Sequence, residues 1–228
     1  MNNTELELLK IIADMEGTPS GAYNIRANGG LSSRQVTENI NIETKTDKSG
    51  INIIIKANTK GEKVHIPVII SETGLTELVY NDFYIGENAD VEIVAGCGIH
   101  NCGDGESRHD GIHSFFVGKN AKVRYVEKHY GGGDGTGSKN MNPTTVINLD
   151  EGSYMEMETT QIKGIDSTKR VTKATLKDDA TLVIKEKLMT HGTQTAEPDF
   201  TVDLNGANSS ANVISRSVAK DNSKQIFL

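Results

Sequence analysis

The sequence predicts an all-β protein, a right-handed parallel β-helix preceded by one short helix. Three observations carry that prediction: an internal repeat, a two-residue apolar period over most of the chain, and a composition of 23 glycines with only 5% aromatics and no Trp. The repeat is the strongest. Ile85-Gly86-Glu87-Asn88-Ala89-Asp90-Val91 returns 32 residues later as Val117-Gly118-Lys119-Asn120-Ala121-Lys122-Val123. Leu149-Asp150-Glu151-Gly152-Ser153-Tyr154-Met155 lies a further 32 along, Leu176-Lys177-Asp178-Asp179-Ala180-Thr181-Leu182 another 27, and Leu204-Asn205-Gly206-Ala207-Asn208 another 28. Each copy reads as an apolar strand end, a polar corner, a small residue and a new strand. Corner types such as Gly, Asn and Asp tolerate left-handed backbone, and one repeat cannot bury its own apolar face, so neighbours must stack. A β-sandwich would need antiparallel hairpins, yet Asn28-Gly29 and Asn205-Gly206 are the only Asn-Gly turn signals.

Taken in order, the first fifteen residues form the one helix. Thr4 and Glu7 have capping-box spacing, and Leu6, Leu9, Ile12 and Ala13 define an apolar face, which reads as a docking or capping helix with a partner-binding arm as the alternative. Gly17, Pro19 and Gly21 end it, so residues 1–30 are expected to be a helix with a linker and 31–228 the β-helix core. From Val36 the period becomes two: Val36, Ile40 and Ile42, then Ile51, Ile53 and Ile55, then Val64, Ile66 and Val68 read as strands between turns at 47–50 and 59–61. The closing stretch, Ser215 to Asp221 and Gln225 to Leu228, reads as a strand pattern without the polar cap a solenoid needs, which predicts that further rungs follow.

Composition narrows function. The chain has 228 residues, 24 basic and 31 acidic, with a net charge of −7. That balance argues against nucleic-acid partners, which require a basic footprint, and the apolar runs are too short to span a membrane. Two cysteines make no disulfide framework, and no signal peptide is apparent, so a cytoplasmic protein is expected.

One constellation carries chemistry. Cys97, His100, Cys102, His109, Asp110 and His113 fall within seventeen residues, spaced by glycines. Thiolate with imidazole suits iron, zinc or an iron-sulfur species, although the four residues between Cys97 and Cys102 match no standard module. Gly111 between His109 and His113 argues for a loop rather than a helix. Cys97 and His129 differ by one 32-residue rung, so stacked strands would set them side by side. The expected metal-ligating set is therefore Cys97, His100, Cys102, His109, His113 and His129. The alternative is ordinary packing, with Cys97 a small hydrophobe and the histidines hydrogen-bonded in a loop. Gly132 to Lys139 reverses the order of a phosphate loop. His65 and His191 read as structural, the carboxylates Glu156, Glu158, Asp178 and Asp179 read as solvated faces, and no catalytic grouping stands out.

Several segments together resemble the SufB/SufD family of iron-sulfur cluster assembly proteins, in particular its short SufB-like members. They are Ile66-Pro67-Val68, Gly96 to Cys102, Arg108 to His113, Tyr125 to Tyr130 and Ser215 to Asp221. The resemblance implies a non-enzymatic scaffold in a parallel β-helix fold, working with a SufC-like ABC ATPase as homodimer or SufB/SufD-type heterodimer. It implies an iron-sulfur cluster or iron held transiently, with zinc left possible by the residue types alone, and a cysteine desulfurase or sulfur carrier as a further partner. The family's ATPase-docking segment and best-known cluster residues would lie beyond Leu228. The competing functions are a carbohydrate-active β-helix enzyme, disfavoured by the lack of an export signal, and a structural solenoid for protein association.

Overall fold

The computed structural model describes residues 1–17 and 19–228. In chain order the elements are α1 (Asn3–Ala13), β1 (Ala22–Ala27), β2 (Gly30–Gln35), β3 (Ile40–Thr44), β4 (Gly50–Ile55), β5 (Lys60–Ile70), β6 (Thr76–Ile85), β7 (Asp90–His100) and β8 (Ser107–Val117). Then come β9 (Lys122–Gly132), β10 (Lys139–Met141), β11 (Thr144–Leu149), β12 (Tyr154–Lys163), β13 (Ser167–Leu176), β14 (Thr181–Thr190), β15 (Thr195–Leu204), β16 (Ser210–Ala219) and β17 (Lys224–Gln225). The chain coils as a β-solenoid of about 6 turns with 61% of its residues in strands. One sheet has the order β2-β1-β5-β7-β9-β12-β14-β16; the other runs β3-β4-β6-β8-β10-β13-β15-β17, with β11 beside β10 between β8 and β13. From β5 onward every pairing is parallel.

The repeat explains the stacking. At each corner one residue takes left-handed backbone: Asn58, Asn88, Asn120, Gly152, Asp179 and Asn208, with φ between 56° and 65°. Asn and Asp reach this region at low cost because their short polar side chains bond locally. The next, small residue closes the turn, as Ala89 N donates to Gly86 O and Ala121 N to Gly118 O. Each left-handed residue also donates to the following rung's corner: Asn58 N to Glu87 O, Asn88 N to Lys119 O, Asn120 N to Glu151 O. Identical corners thus hydrogen-bond in register, and the strands they launch inherit that register. Inward residues alternate along every strand, so Ile53, Phe83, Phe115 and Ile147 form one buried column, with Phe83 and Phe115 stacked at 4.3 Å.

α1 lies on the outer face of the first sheet. Leu8, Leu9, Ile12 and Ala13 pack with Ile69 and Val94. The close approach depends on Gly96, where a Cβ would fall 2.3 Å from the Ile12 carbonyl oxygen.

Several expectations need correction. The helix is capped by Asn2, whose side chain accepts from Glu5 N while Glu5 accepts from Asn2 N, not by Thr4 and Glu7. Leu6 is exposed and Leu8 is buried in its place, while Leu9, Ile12 and Ala13 pack as expected, because Leu6 and Leu8 flank that stripe on opposite edges and the sheet covers the Leu8 edge. Asp14 in left-handed conformation ends the helix before Gly17. Val36 sits between strands, exposed. Ala22–Ala27, within the stretch expected as linker, pairs in parallel with β5 and antiparallel with β2 across the Asn28-Gly29 turn. β3 and β4 form a second antiparallel pair.

Candidate functional site

Period-two alternation decides which side chains enter the cylinder. On β7 it turns Ala95, Cys97 and Ile99 inward; on β8 it turns in Ser107, His109, Gly111, His113 and Phe115; on β9, Tyr125, Glu127 and His129. The segment around Gly111, expected as a loop, is therefore continuous strand. Its glycine leaves space between two imidazoles, since a Cβ there would stand 3.2 Å from His113 Nε2 and 3.3 Å from His109 Nε2. Cys97 and His129 are register partners on neighbouring strands.

These residues belong to a buried charged network. Glu127 Oε2 accepts from Arg170 Nη1 at 2.7 Å, and Glu127 Oε1 accepts from the Tyr125 hydroxyl at 3.0 Å. His113 Nδ1 is 2.8 Å from that hydroxyl, and His129 Nε2 is 3.5 Å from Glu127 Oε1. Arg170 Nε reaches to 3.9 Å from Glu186 Oε1. On the other side of Cys97, His109 Nδ1 lies 3.4 Å from Glu77 Oε2 without hydrogen-bond alignment, leaving both ring nitrogens of His109 unpartnered. Glu77 Oε1 in turn accepts from Arg26 Nη2 at 2.6 Å. The order Arg26, Glu77, His109, Cys97, His129, Glu127, Arg170, Glu186 alternates basic and acidic groups across the rungs.

The electrostatics follow from that order. Burial pushes the Cys97 thiol up, but the His109 and His129 imidazoles beside it bring it down to about 7. Burial disfavours charged His109, yet Cys97 and Glu77 carry it up to about 10; His129, beside Glu127 and Cys97, rises to about 9 in the same way. His113 goes the other way, to about 4, chiefly through burial. Glu127 is held well below the usual range by Arg170 and His129 despite its burial. The arrangement is a thiol between two imidazolium groups, each backed by a carboxylate. Such a setting favours the thiolate, the form that attacks electrophiles and binds soft metals.

The six expected ligands divide. Cys97, His109, His113 and His129 share the interior, whereas His100 and Cys102 stand at an outer corner, Cys102 Sγ 3.1 Å from His100 Nε2 and exposed. Among the described residues no three His, Cys, Asp or Glu side chains converge where a metal ion could sit. The donors are chemically suited to a soft metal, but as placed they do not fit a resident zinc. Reasoning from residue types missed Glu77, Tyr125, Glu127, Arg170 and Glu186. The signal for two of them was available, because extending the alternation back from His129 turns Glu127 and Tyr125 inward. Glu156 and Glu158 lie outside, bonded to Arg124, Lys185 and Lys187, as expected of a solvated face.

Residues 72–228 match the family model for the SUF system FeS cluster assembly, SufBD core domain. The chain belongs to the SufBD family. All of the interior network except Arg26 lies within that domain. Among curated proteins the chain is similar to an iron-sulfur cluster assembly SufBD family protein of Methanocaldococcus jannaschii, 28% identical over 194 residues, 83% of this chain and 60% of that protein. It is also similar to an iron-sulfur cluster assembly SufBD family protein of Archaeoglobus fulgidus, 27% identical over 177 residues, 76% of this chain and 46% of that protein. The chain thus spans about half to three-fifths of the length of these SufBD relatives. Membership supports a role in iron-sulfur cluster assembly. Among the described residues no helix is long and apolar enough to cross a membrane.

Proposed function

We propose that this SufBD chain is a cytoplasmic scaffold of a SUF-type assembly system, without catalysis of its own, and that Cys97 is the thiolate through which it meets its cargo. One observation supports this above the others: within the SufBD core domain a single buried thiol is flanked by two imidazoles, each backed by a carboxylate. The iron-sulfur cluster or its iron is cargo on this reading, so one anchoring thiolate suffices where a resident metal would need a full ligand set. His109 and His129 draw the Cys97 thiol toward its thiolate and yield to iron, whose positive charge replaces theirs. Cys97 is only 5% exposed and faces the interior, so cargo reaches it when the neighbouring rungs part. A SufC-like ABC ATPase is the partner that would drive such motion, acting on a homodimer or a SufB/SufD-type pair, with sulfur from a cysteine desulfurase or sulfur carrier.

The test compares iron and acid-labile sulfide per chain after anaerobic reconstitution of the wild type, Cys97→Ser and Cys102→Ser. Cys97→Ser is expected to lose most of its iron while Cys102→Ser retains it. Equal iron in all three would end the assignment.

A further inference from the structure

The two sheets differ on their outer faces. On the first, apolar positions lie under α1, and beyond it an ion-pair ladder runs through Lys63, Glu92, Arg124, Glu158 and Lys187. On the second sheet, apolar side chains are left in solvent: Leu78 is 44%, Tyr84 41% and Phe116 42% exposed, and the last two stack at 5.1 Å with their planes 7° apart. Successive rungs set Ile54, Tyr84, Phe116, Asn148, Thr175 and Asp203 in one straight row. Most of that row lines a groove of about 550 Å³.

The groove changes character along its length. Its Ile54 to Phe116 end is apolar. At the far end it is continuous, through Asp150 and Lys177, with a depression at the next corners. Asp150, Glu151, Asp178, Asp179 and Asp203 gather there. Asp150 pairs with Lys177 and Glu151 with Lys119, whereas among the described residues Asp178, Asp179 and Asp203 have no cationic partner. The stacked, solvent-facing Tyr84 and Phe116 rings at one end offer an apolar anchor, and the acidic other end specifies the sign of what meets it.

We propose that this groove docks a basic amphipathic helix of a partner protein, with apolar residues over Tyr84 and Phe116 and Lys or Arg over Asp178 and Asp203. The row crosses six strands, about 24 Å at the ordinary spacing between strands, which about 16 helical residues would span. A second copy of the chain is the poorer occupant, because it brings together two molecules of net charge −7.

The probes are two synthetic 16-residue helices with the same Leu- and Phe-containing half, one completed with Lys and the other with Glu. Fluorescence anisotropy should show the Lys peptide binding the full chain. Its affinity should fall at least tenfold in Phe116→Glu and in the double variant Asp178→Lys, Asp203→Lys, and stay unchanged in Glu72→Lys at an exposed site elsewhere. Neither acidic position of the double variant has left-handed backbone or belongs to the core, so its result stands even if Phe116→Glu perturbs folding. Equal binding of the Glu peptide, wild-type affinity in the Asp178→Lys, Asp203→Lys variant, or a wild-type dimer that Phe116→Glu dissociates would each overturn the proposal.

Discussion

Arg170 shows what the interior network asks of a single side chain. It is 4% exposed and holds two carboxylates, Glu127 at 2.7 Å and Glu186 at 3.9 Å. Taking charges out of water is costly, and removing one partner of a buried pair leaves the other uncompensated, a loss of about 3–5 kcal/mol in comparable cases. Arg170→Met preserves much of the side-chain volume and removes the charge. It is expected to lower stability by roughly that amount in chemical denaturation, whereas Arg170→Lys should recover part of the loss. If Arg170→Met were as stable as the wild type, the network would not be the electrostatic unit described above. Nothing in the local sequence around Arg170 announces this role. The residue enters the network from a strand 43 positions beyond Glu127, and local periodicity carries no information over that separation.

At the scale of the element, α1 and β7 depend on each other. An isolated helix of 11 residues is marginal in water, and this one persists because Leu8, Leu9, Ile12 and Ala13 are buried against the first sheet. Glu5 adds to the attachment, accepting from the Ser71 hydroxyl at 3.0 Å while closing its own capping box. Gly96→Val would place side-chain atoms where the Ile12 backbone lies, with the first contact at 2.3 Å. The expected result is a helix that undocks while the solenoid stays folded: hydrogen exchange should lose protection over residues 3–13 and keep it over β12 to β15. Unchanged protection of α1 would show that the contact is slack. The helix, its docking role and three of its four face residues were legible in the sequence, but one edge was misassigned, Leu6 for Leu8. The apolar residues Leu6, Leu8, Leu9, Ile11 and Ile12 allow two overlapping stripes, and only the glycine floor on β7 selects between them.

For the whole molecule, rungs repeat their side chains as well as their backbone, and the outer ladder on the first sheet is one product. Burial raises the Glu92 carboxyl, but Lys63 and Arg124 more than offset it, and Lys187 leads the groups that lower Glu158. Both carboxyls therefore ionise more readily in the folded chain than their ordinary value of 4.5. A depressed folded value contributes stability above the unfolded value and loses it as pH falls through the folded one. Thermal stability should accordingly decline on acidification below about 4.5, with a smaller decline in the double variant Glu92→Gln, Glu158→Gln. These groups are partly exposed and screened by salt, so the difference between variants should shrink at high ionic strength. Parallel melting curves at all pH values would remove the ladder from the acid response.

The sequence by itself determined the rung: its corners, its length and the small residue that closes each turn, because these depend on backbone conformation within about seven residues. It also placed Cys97 beside His129, since a constant interval of 32 residues maps onto neighbouring strands. The tertiary structure decided which ligands share a space. Alternation fixes opposite faces but not which face turns inward, and that choice put His109 and His113 with Cys97 while leaving His100 and Cys102 outside. It also decided where the buried charges find partners, because the interval shortens from 32 to 27 residues beyond β11, so a rung count cannot say which side chain meets Glu127. Coulomb energy acts through space in a dry interior, and only the closed cylinder brings Arg26, Glu77, Glu127, Arg170 and Glu186 into one line.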